Sequence, residues 1–260
     1  MVGRMNTLND FLIDDQAFLM ISGPCSIESE DQVKAILDSP NAPKVLRGGL
    51  YKMRTNPDSF QGLRAEGARL IAKLQQEKDF QFVTEISDPR QIETLDTITS
   101  MYQIGARNMY NYELLRELAG LGKPVLLKRA FSATLKEWLG SAQYLQELGD
   151  DKVVLCERGI RSFETELRNT LDLGSVIYLK ENTKFKVMVD PSHAMGEARY
   201  VAKASLAAMA AGADGVIIES HPCPGQALSD AKQAIDLTEL SKLYTDLQKL
   251  SECLNKTLIH

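Results

Sequence analysis

Eight short apolar runs recur along the chain, each followed by a helix-like stretch, and most of them end in a charged or metal-capable side chain. They cover residues 18–22, 44–46, 80–84, 102–106, 125–127, 153–156, 186–189 and 215–218. The first leads into Gly23-Pro24-Cys25, the second into Arg47, the third into Glu85 and the fourth into Arg107. The last four lead into Lys128-Arg129, Glu157-Arg158, Asp190-Pro191-Ser192-His193 and Glu219-Ser220-His221. Alternating strand and helix patterns argue for parallel strands joined by crossover helices. The runs are rich in Val, Ile, Leu and Phe without strict alternation, as strands covered on both faces should be. Eight such units predict a single α/β fold, a (β/α)8 TIM barrel with its reactive groups at the carboxyl ends of the strands. An open doubly wound sheet is the runner-up, but no GxGxxG follows the first strand. The barrel is assigned to residues 17–260, with a short N-terminal arm at 1–16. Leu240, Leu243, Leu247, Leu250 and Leu254 form one apolar stripe, predicted to dock the last helix on the outside of the barrel.

Thirty Lys and Arg against thirty-five Asp and Glu leave a net charge of -5, a poor basis for general nucleic-acid binding. Basic residues gathered at strand ends are therefore local exceptions to the overall sign. Cys25, Cys156, Cys223 and Cys253 make no CxxC pair, which points to a reducing compartment. The first sixteen residues lack the apolar core of a signal peptide, and no run has the length of a membrane span. The expectation is a soluble cytoplasmic protein with no membrane partner.

Two constellations carry chemistry. Arg47, Lys52, Arg54, Arg107, Lys128, Arg129, Arg158 and Arg161 all follow predicted strands. Gathered at one mouth they would repel one another unless something anionic filled the gap, so phosphate and carboxylate groups are the expected ligands. Cys25, His193, Glu219 and Asp230 follow strands one, seven and eight, and the first and eighth strands of a closed barrel are neighbours. A thiolate, an imidazole and two carboxylates suit a divalent transition metal of borderline softness. Cys156 and Cys253 are read as structural, whereas Cys223 lies near the mouth with its role open. Glu85 is either an acid–base group or a counter-charge to the cations.

At these residues the sequence resembles the 3-deoxy-D-arabino-heptulosonate 7-phosphate synthases of the type I beta subgroup, which open aromatic amino-acid biosynthesis. The matching segments are GPCSIES (23–29), LRGGLYKMRTNPDSFQGL (46–63), QIGARNMYNYELL (103–115), KPVLLKRAFSATLKEWL (123–139), LCERGIRSFE (155–164), VDPSHAMG (189–196) and GADGVIIESHPCPGQALSD (212–230). The sister octulosonate 8-phosphate synthases share the fold and much of the site. The shorter second-strand loop, Lys52-Met53-Arg54-Thr55-Asn56, resembles the heptulosonate family, and Cys25 resembles its metal-dependent members. Met53, Asn56 and Ala130-Phe131 depart from the usual Pro, Ser and Gly-Met.

The resemblance implies condensation of phosphoenolpyruvate with erythrose 4-phosphate and release of phosphate. Arg107, Lys128 and Arg158, with the backbone of Gly105 and Ala106, should hold the phosphoenolpyruvate phosphate. Arg47 and Lys52 should meet its carboxylate, with Lys52 also near the aldehyde. Arg54 and Thr55 should hold the erythrose 4-phosphate phosphate. Cys25, His193, Glu219 and Asp230 should bind one divalent ion of Mn, Fe, Co or Zn. Lys52, Glu85 and His193 are the expected catalytic groups. Relatives form homo-oligomers, commonly tetramers, with a dimer as the alternative; no fused regulatory domain is expected. The competing readings are an octulosonate synthase and a non-catalytic barrel that binds sugar phosphates.

Overall fold

The computed structural model describes residues 7–53, 56, 58–146 and 149–260. Eight parallel strands close into a barrel: β1 (Ala17–Gly23), β2 (Val45–Arg47), β3 (Gln81–Ile86), β4 (Met101–Ile104), β5 (Val125–Lys128), β6 (Val153–Glu157), β7 (Lys186–Val189) and β8 (Gly215–Glu219). Closure runs through β1, which pairs with β8 from Leu19↔Gly215 to Gly23↔Glu219 and with β2 at Ser22↔Leu46. At that seam Gly23 has φ +148, and a Cβ there would stand 2.1 Å from the Arg47 carbonyl oxygen. Only glycine lets the two strands approach so closely.

The helices are α1 (Thr7–Ile13), α2 (Glu30–Leu37), α3 (Arg64–Glu77), α4 (Ile92–Leu95), α5 (Tyr112–Ala119), α6 (Leu135–Gln143), α7 (Leu173–Asn182), α8 (Pro191–Met195), α9 (Ala198–Ala210) and α10 (Leu237–Cys253). Helices α6 and α10 begin with capping boxes, Thr134 with Glu137 and Asp236 with Glu239. Each box pairs backbone N–H groups that a helix start otherwise leaves without partners. In α10, Leu240, Leu243 and Leu247 are buried in the outer core, while Leu254 at the helix end is partly exposed. The predicted stripe thus docks over most of its length.

Strand residues alternate between two cores. Phe18, Leu46, Phe82, Tyr102, Leu127, Leu155, Val187 and Ile218 face the surrounding helices. Leu19, Ile21, Val45, Val83, Met101, Leu126, Val154, Met188 and Ile217 fill the barrel interior. Part of the N-terminal arm packs onto that interior: Leu8, Phe11 and Leu12 of α1 join the same cluster and close the amino-terminal end. Lys186, at the foot of β7, donates to the Asp14 carbonyl at 2.7 Å and sits over the Phe11 ring. The chain does not stop at the last helix. Strand β9 (Thr257–Ile259) pairs in parallel with the lower half of β1, from Ala17↔Thr257 to Leu19↔Ile259, where β2 has not yet joined. Among the described residues no helix is long and apolar enough to cross a membrane.

Candidate active site

The alternation that buries Leu126 and Met188 inside the barrel also sends Lys128 and Asp190 inward, one step higher. The carboxyl ends of the strands therefore present a polar layer over the apolar interior. Above it opens a cavity of about 680 Å3, lined by Lys52, Met53, Glu85, Gln103, Gly105, Ala106, Arg107, Lys128, Phe131, Arg158, Arg168, His193 and Asp230. Five of these residues are cations and two are carboxylates, so the lining is positive although the chain as a whole is acidic.

On one side stands a cluster of four donors. Ligand atoms of Cys25, His193, Glu219 and Asp230 all lie within 4.8 Å of one another. Cys25 Sγ is 3.1 Å from Asp230 Oδ2, and His193 Nε2 is 3.4 Å from Glu219 Oε1 and 3.8 Å from Asp230 Oδ2. Donors about 2.0–2.3 Å from a common ion are spaced in this range, so the set fits a divalent transition metal. Asp230 adopts φ +53, an uncommon backbone for a non-glycine residue, which aims its carboxylate at the cluster.

The surroundings fix this cluster. His193 Nδ1 faces Asp190 Oδ2 at 2.7 Å, which assigns the ring proton to Nδ1 and leaves Nε2 facing Glu219 and Asp230. Asp190 also caps α8, accepting the His193 N–H at 2.8 Å. Glu219 is wholly buried, accepting from Arg47 Nη1 at 2.8 Å and Gln233 Nε2 at 2.6 Å. Burial disfavours its charged form, but His193, Arg47 and Lys52 outweigh that and hold its carboxyl down to about 2. Asp190 follows the same logic: burial opposes ionisation, yet His193 and Lys128 hold it well below the usual carboxylate range. Cys25 runs the other way. Burial and the Glu219 charge push its thiol up to about 12, against the pull of Lys52 and Arg47. A cation entering the cluster must therefore displace a proton from sulfur.

On the other side stands a wall of cations. Lys128 Nζ donates to Asp190 Oδ2 at 2.5 Å. Arg158, only 3% exposed, donates to the main-chain oxygens of Gly159 and His193 at 3.3 and 3.2 Å. It forms no ion pair among the described residues, and burial lowers its pKa from the ordinary value. Its guanidinium lies over the Phe131 ring, 4.8 Å from the centroid. Arg107 is exposed at the rim and donates to the Met53 carbonyl at 3.4 Å. Lys52 Nζ reaches both the Cys25 carbonyl and Sγ at 3.0 Å, so it stands between the wall and the cluster. Glu85 packs against Gly105 so closely that a Cβ there would fall 2.1 Å from its Oε1.

The geometry brings together most of the residues expected from sequence. Lys52, Glu85, Gly105, Ala106, Arg107, Lys128, Arg158, His193 and Asp230 line one cavity, with Cys25 and Glu219 buried beside it. Arg47 is buried below, committed to Glu219, with its Nε left without a partner among the described residues. Arg54 and Thr55 lie outside the described residues. The expected convergence of eight cations needs correcting at two positions. Arg129 is turned away from the cavity and donates to Glu157 and Asp172 at 3.0 Å each. It follows Lys128 directly, and consecutive strand residues face opposite sides of the sheet. Arg161 is exposed and rests over the Phe131 ring instead of lining the cavity. Sequence reasoning missed Gln103, Phe131, Arg168, Asp190, Gln233 and Ser229, whose hydroxyl lies 2.9 Å from Cys25 Sγ. Period-two counting from Met101 and Met188 places Gln103 and Asp190 inward; Arg168, on a long loop, carries no such signal.

Comparison with known proteins places the chain in a family. The sequence pattern of the DAHP synthetase I family matches residues 9–256. A phospho-2-dehydro-3-deoxyheptonate aldolase of Thermotoga maritima is 41% identical over 249 residues, which is 95% of this chain and 74% of that protein. The crystal structure of phospho-2-dehydro-3-deoxyheptonate aldolase (DAHP synthase) from the same organism superposes with a TM-score of 0.88 at 39% identity, covering 94% of this chain and 72% of that one. A 2-dehydro-3-deoxyphosphooctonate aldolase of Dichelobacter nodosus is more distant, 27% identical over 264 residues and covering 94% of each chain. The chain belongs to the DAHP synthetase I family.

Proposed function

We propose that this chain is a metal-dependent 3-deoxy-7-phosphoheptulonate synthase. It joins phosphoenolpyruvate, D-erythrose 4-phosphate and water to give 3-deoxy-D-arabino-heptulosonate 7-phosphate and phosphate. The observation that carries the reading is Arg158. A buried guanidinium with no carboxylate partner among the described residues, beside Lys128 and Arg168 and across from four clustered donors, suits an anion held next to a metal. Greater identity to the heptonate aldolase than to the octonate aldolase favours erythrose 4-phosphate over a five-carbon aldehyde.

In this reading Arg107, Lys128 and Arg158 hold the phosphate of phosphoenolpyruvate, with the backbone of Gly105 and Ala106. Arg168, unforeseen from sequence, joins them. Arg47 keeps Glu219 in place, and its Nε, without a partner among the described residues, leaves one donor for the substrate carboxylate. Lys52 serves the same carboxylate and the aldehyde oxygen, and Arg54 and Thr55 take the aldehyde's phosphate. A divalent ion held by Cys25, His193, Glu219 and Asp230 supplies Lewis acidity that makes the aldehyde a better electrophile. The third carbon of phosphoenolpyruvate forms a bond to the aldehyde carbon, water adds at the second carbon, and carbon–oxygen cleavage releases phosphate. Throughout, the cation wall neutralises the two substrates so that they can lie side by side. Glu85, in the cavity lining beside Gln103, holds a proton or balances the wall in this reading. The identity of the ion and assembly as a homotetramer or dimer belong to the same proposal. So does a reducing cytoplasmic setting, supported by four free cysteines.

The test is phosphate release by Arg158→Met with both substrates. Loss of charge-assisted bonds worth about 3 kcal/mol should raise the KM for phosphoenolpyruvate about 100-fold and leave that for erythrose 4-phosphate within a few-fold. An unchanged KM for phosphoenolpyruvate would contradict the assignment.

A further inference from the structure

Asp190 joins two groups that serve different halves of the site. It is wholly buried at the end of β7. One oxygen, Oδ2, accepts from Lys128 Nζ at 2.5 Å and from His193 Nδ1 at 2.7 Å. Its other oxygen accepts the His193 N–H at 2.8 Å. Lys128 belongs to the cation wall and His193 to the four-donor cluster. A second thread runs the same way: Arg158 Nη2 donates to the His193 carbonyl at 3.2 Å, which Asn169 Nδ2 also meets at 3.0 Å. Two cations of the wall are thus wired to one donor residue.

We propose that Asp190 is a positioning residue that couples anion binding at the wall to metal affinity at the cluster. The inference rests on the reading of the wall as a phosphate site. The physical basis is the shared oxygen. In the free protein an ammonium and an imidazole N–H compete for Oδ2. An anion that draws Lys128 towards itself leaves Oδ2 to His193. The ring is then held more firmly with Nε2 facing Glu219 and Asp230, and the imidazole becomes a stronger donor. By linkage, a cation at the cluster strengthens anion binding by the same factor. Asp190 touches neither ligand and acts through Lys128 and His193.

The experiment uses the full chain stripped of metal and titrated with Mn2+, free ion being followed by its electron paramagnetic resonance signal. Each titration is run with and without saturating inorganic phosphate, corrected for manganese–phosphate association in buffer. In the wild type, phosphate should tighten manganese binding by about fivefold or more. In Asp190→Asn, manganese binding should weaken by about ten- to a hundredfold and the phosphate effect should fall below about twofold. Lys128→Met keeps the test open should Asp190→Asn fail to fold: it should lose the phosphate effect and bind manganese at least as tightly as the unliganded wild type. Equal manganese affinity with and without phosphate in the wild type overturns the coupling. A full phosphate effect in either variant overturns the assignment to Asp190. Turnover of the same wild-type preparation judges the reading of function separately, because the manganese titrations need no catalysis.

Discussion

Phe131 has a definite task in this fold. Its ring lines the cavity and lies under two guanidinium groups, Arg158 at 4.8 Å and Arg161 at 4.9 Å from the centroid. The Arg161 N–H donates to the Phe131 carbonyl at 2.7 Å, which ties the two segments together. Phe131→Leu keeps apolar volume and removes the π face. Arg158 is buried, so its cation–π contact belongs at the desolvated end of the range, about 2 kcal/mol, or about 30-fold in an equilibrium constant. Arg161 is exposed, and losing its contact is worth about 0.5 kcal/mol, or roughly twofold. The assay is the KM for phosphoenolpyruvate at saturating erythrose 4-phosphate and metal. Phe131→Leu should raise it about 30-fold, Phe131→Trp should restore most of the loss, and Arg161→Ala should change it about twofold. A leucine variant within twofold of wild type, or a tryptophan variant no better than leucine, would show that the ring does not orient Arg158.

Three further outcomes follow from other parts of the molecule. Gly105→Ala places a methyl group 2.1 Å from Glu85 Oε1 and must displace that carboxylate; kcat should fall about 10- to 100-fold with manganese affinity unchanged, and an unaltered kcat would reduce Glu85 to a counter-charge. Phe11→Ala empties the plug at the amino-terminal end of the barrel and should cost about 3–5 kcal/mol in urea unfolding; a loss below about 1 kcal/mol would mean that α1 docks without stabilising the barrel. His260, its ring tilted against Tyr244 with centroids 4.4 Å apart, is lowered by burial to about 4, against an ordinary value of 6.5. Its folded pKa is depressed, so the unfolded chain takes up the proton first. The stabilisation is present above about pH 6.5 and declines as pH falls towards 4, by up to about 3 kcal/mol. A nuclear magnetic resonance titration of His260 with its midpoint near 6.5 would contradict this.

The sequence made the barrel legible because each strand is short and apolar and most lead into a charged or metal-capable residue, so both position and carboxyl end can be read. Cys25, His193, Glu219 and Asp230 could be grouped before any geometry was known, since closure makes β1 and β8 neighbours. The errors have physical causes. Placing Lys128 and Arg129 at the same mouth ignores the two-residue period of a strand, which sends Arg129 outward to Glu157 and Asp172. The helix that the N-terminal arm forms at Thr7–Ile13 has its signal too, with Leu8, Phe11 and Leu12 at helical spacing. Strand β9 is too short for any periodicity to show. Asp190 was visible only as part of the VDPSH segment; its importance arises from Lys128, sixty-two residues away in sequence. Arg168 reaches the cavity from the long segment after β6, where no periodic pattern tells which side chains turn inward.

The central claim is tested most directly by consumption of phosphoenolpyruvate, followed by loss of its ultraviolet absorbance, with erythrose 4-phosphate and with arabinose 5-phosphate, each with and without a chelator. The account predicts consumption with erythrose 4-phosphate alone, abolished by the chelator and restored by a divalent transition metal. Consumption only with arabinose 5-phosphate, or turnover untouched by thorough metal removal, would contradict it.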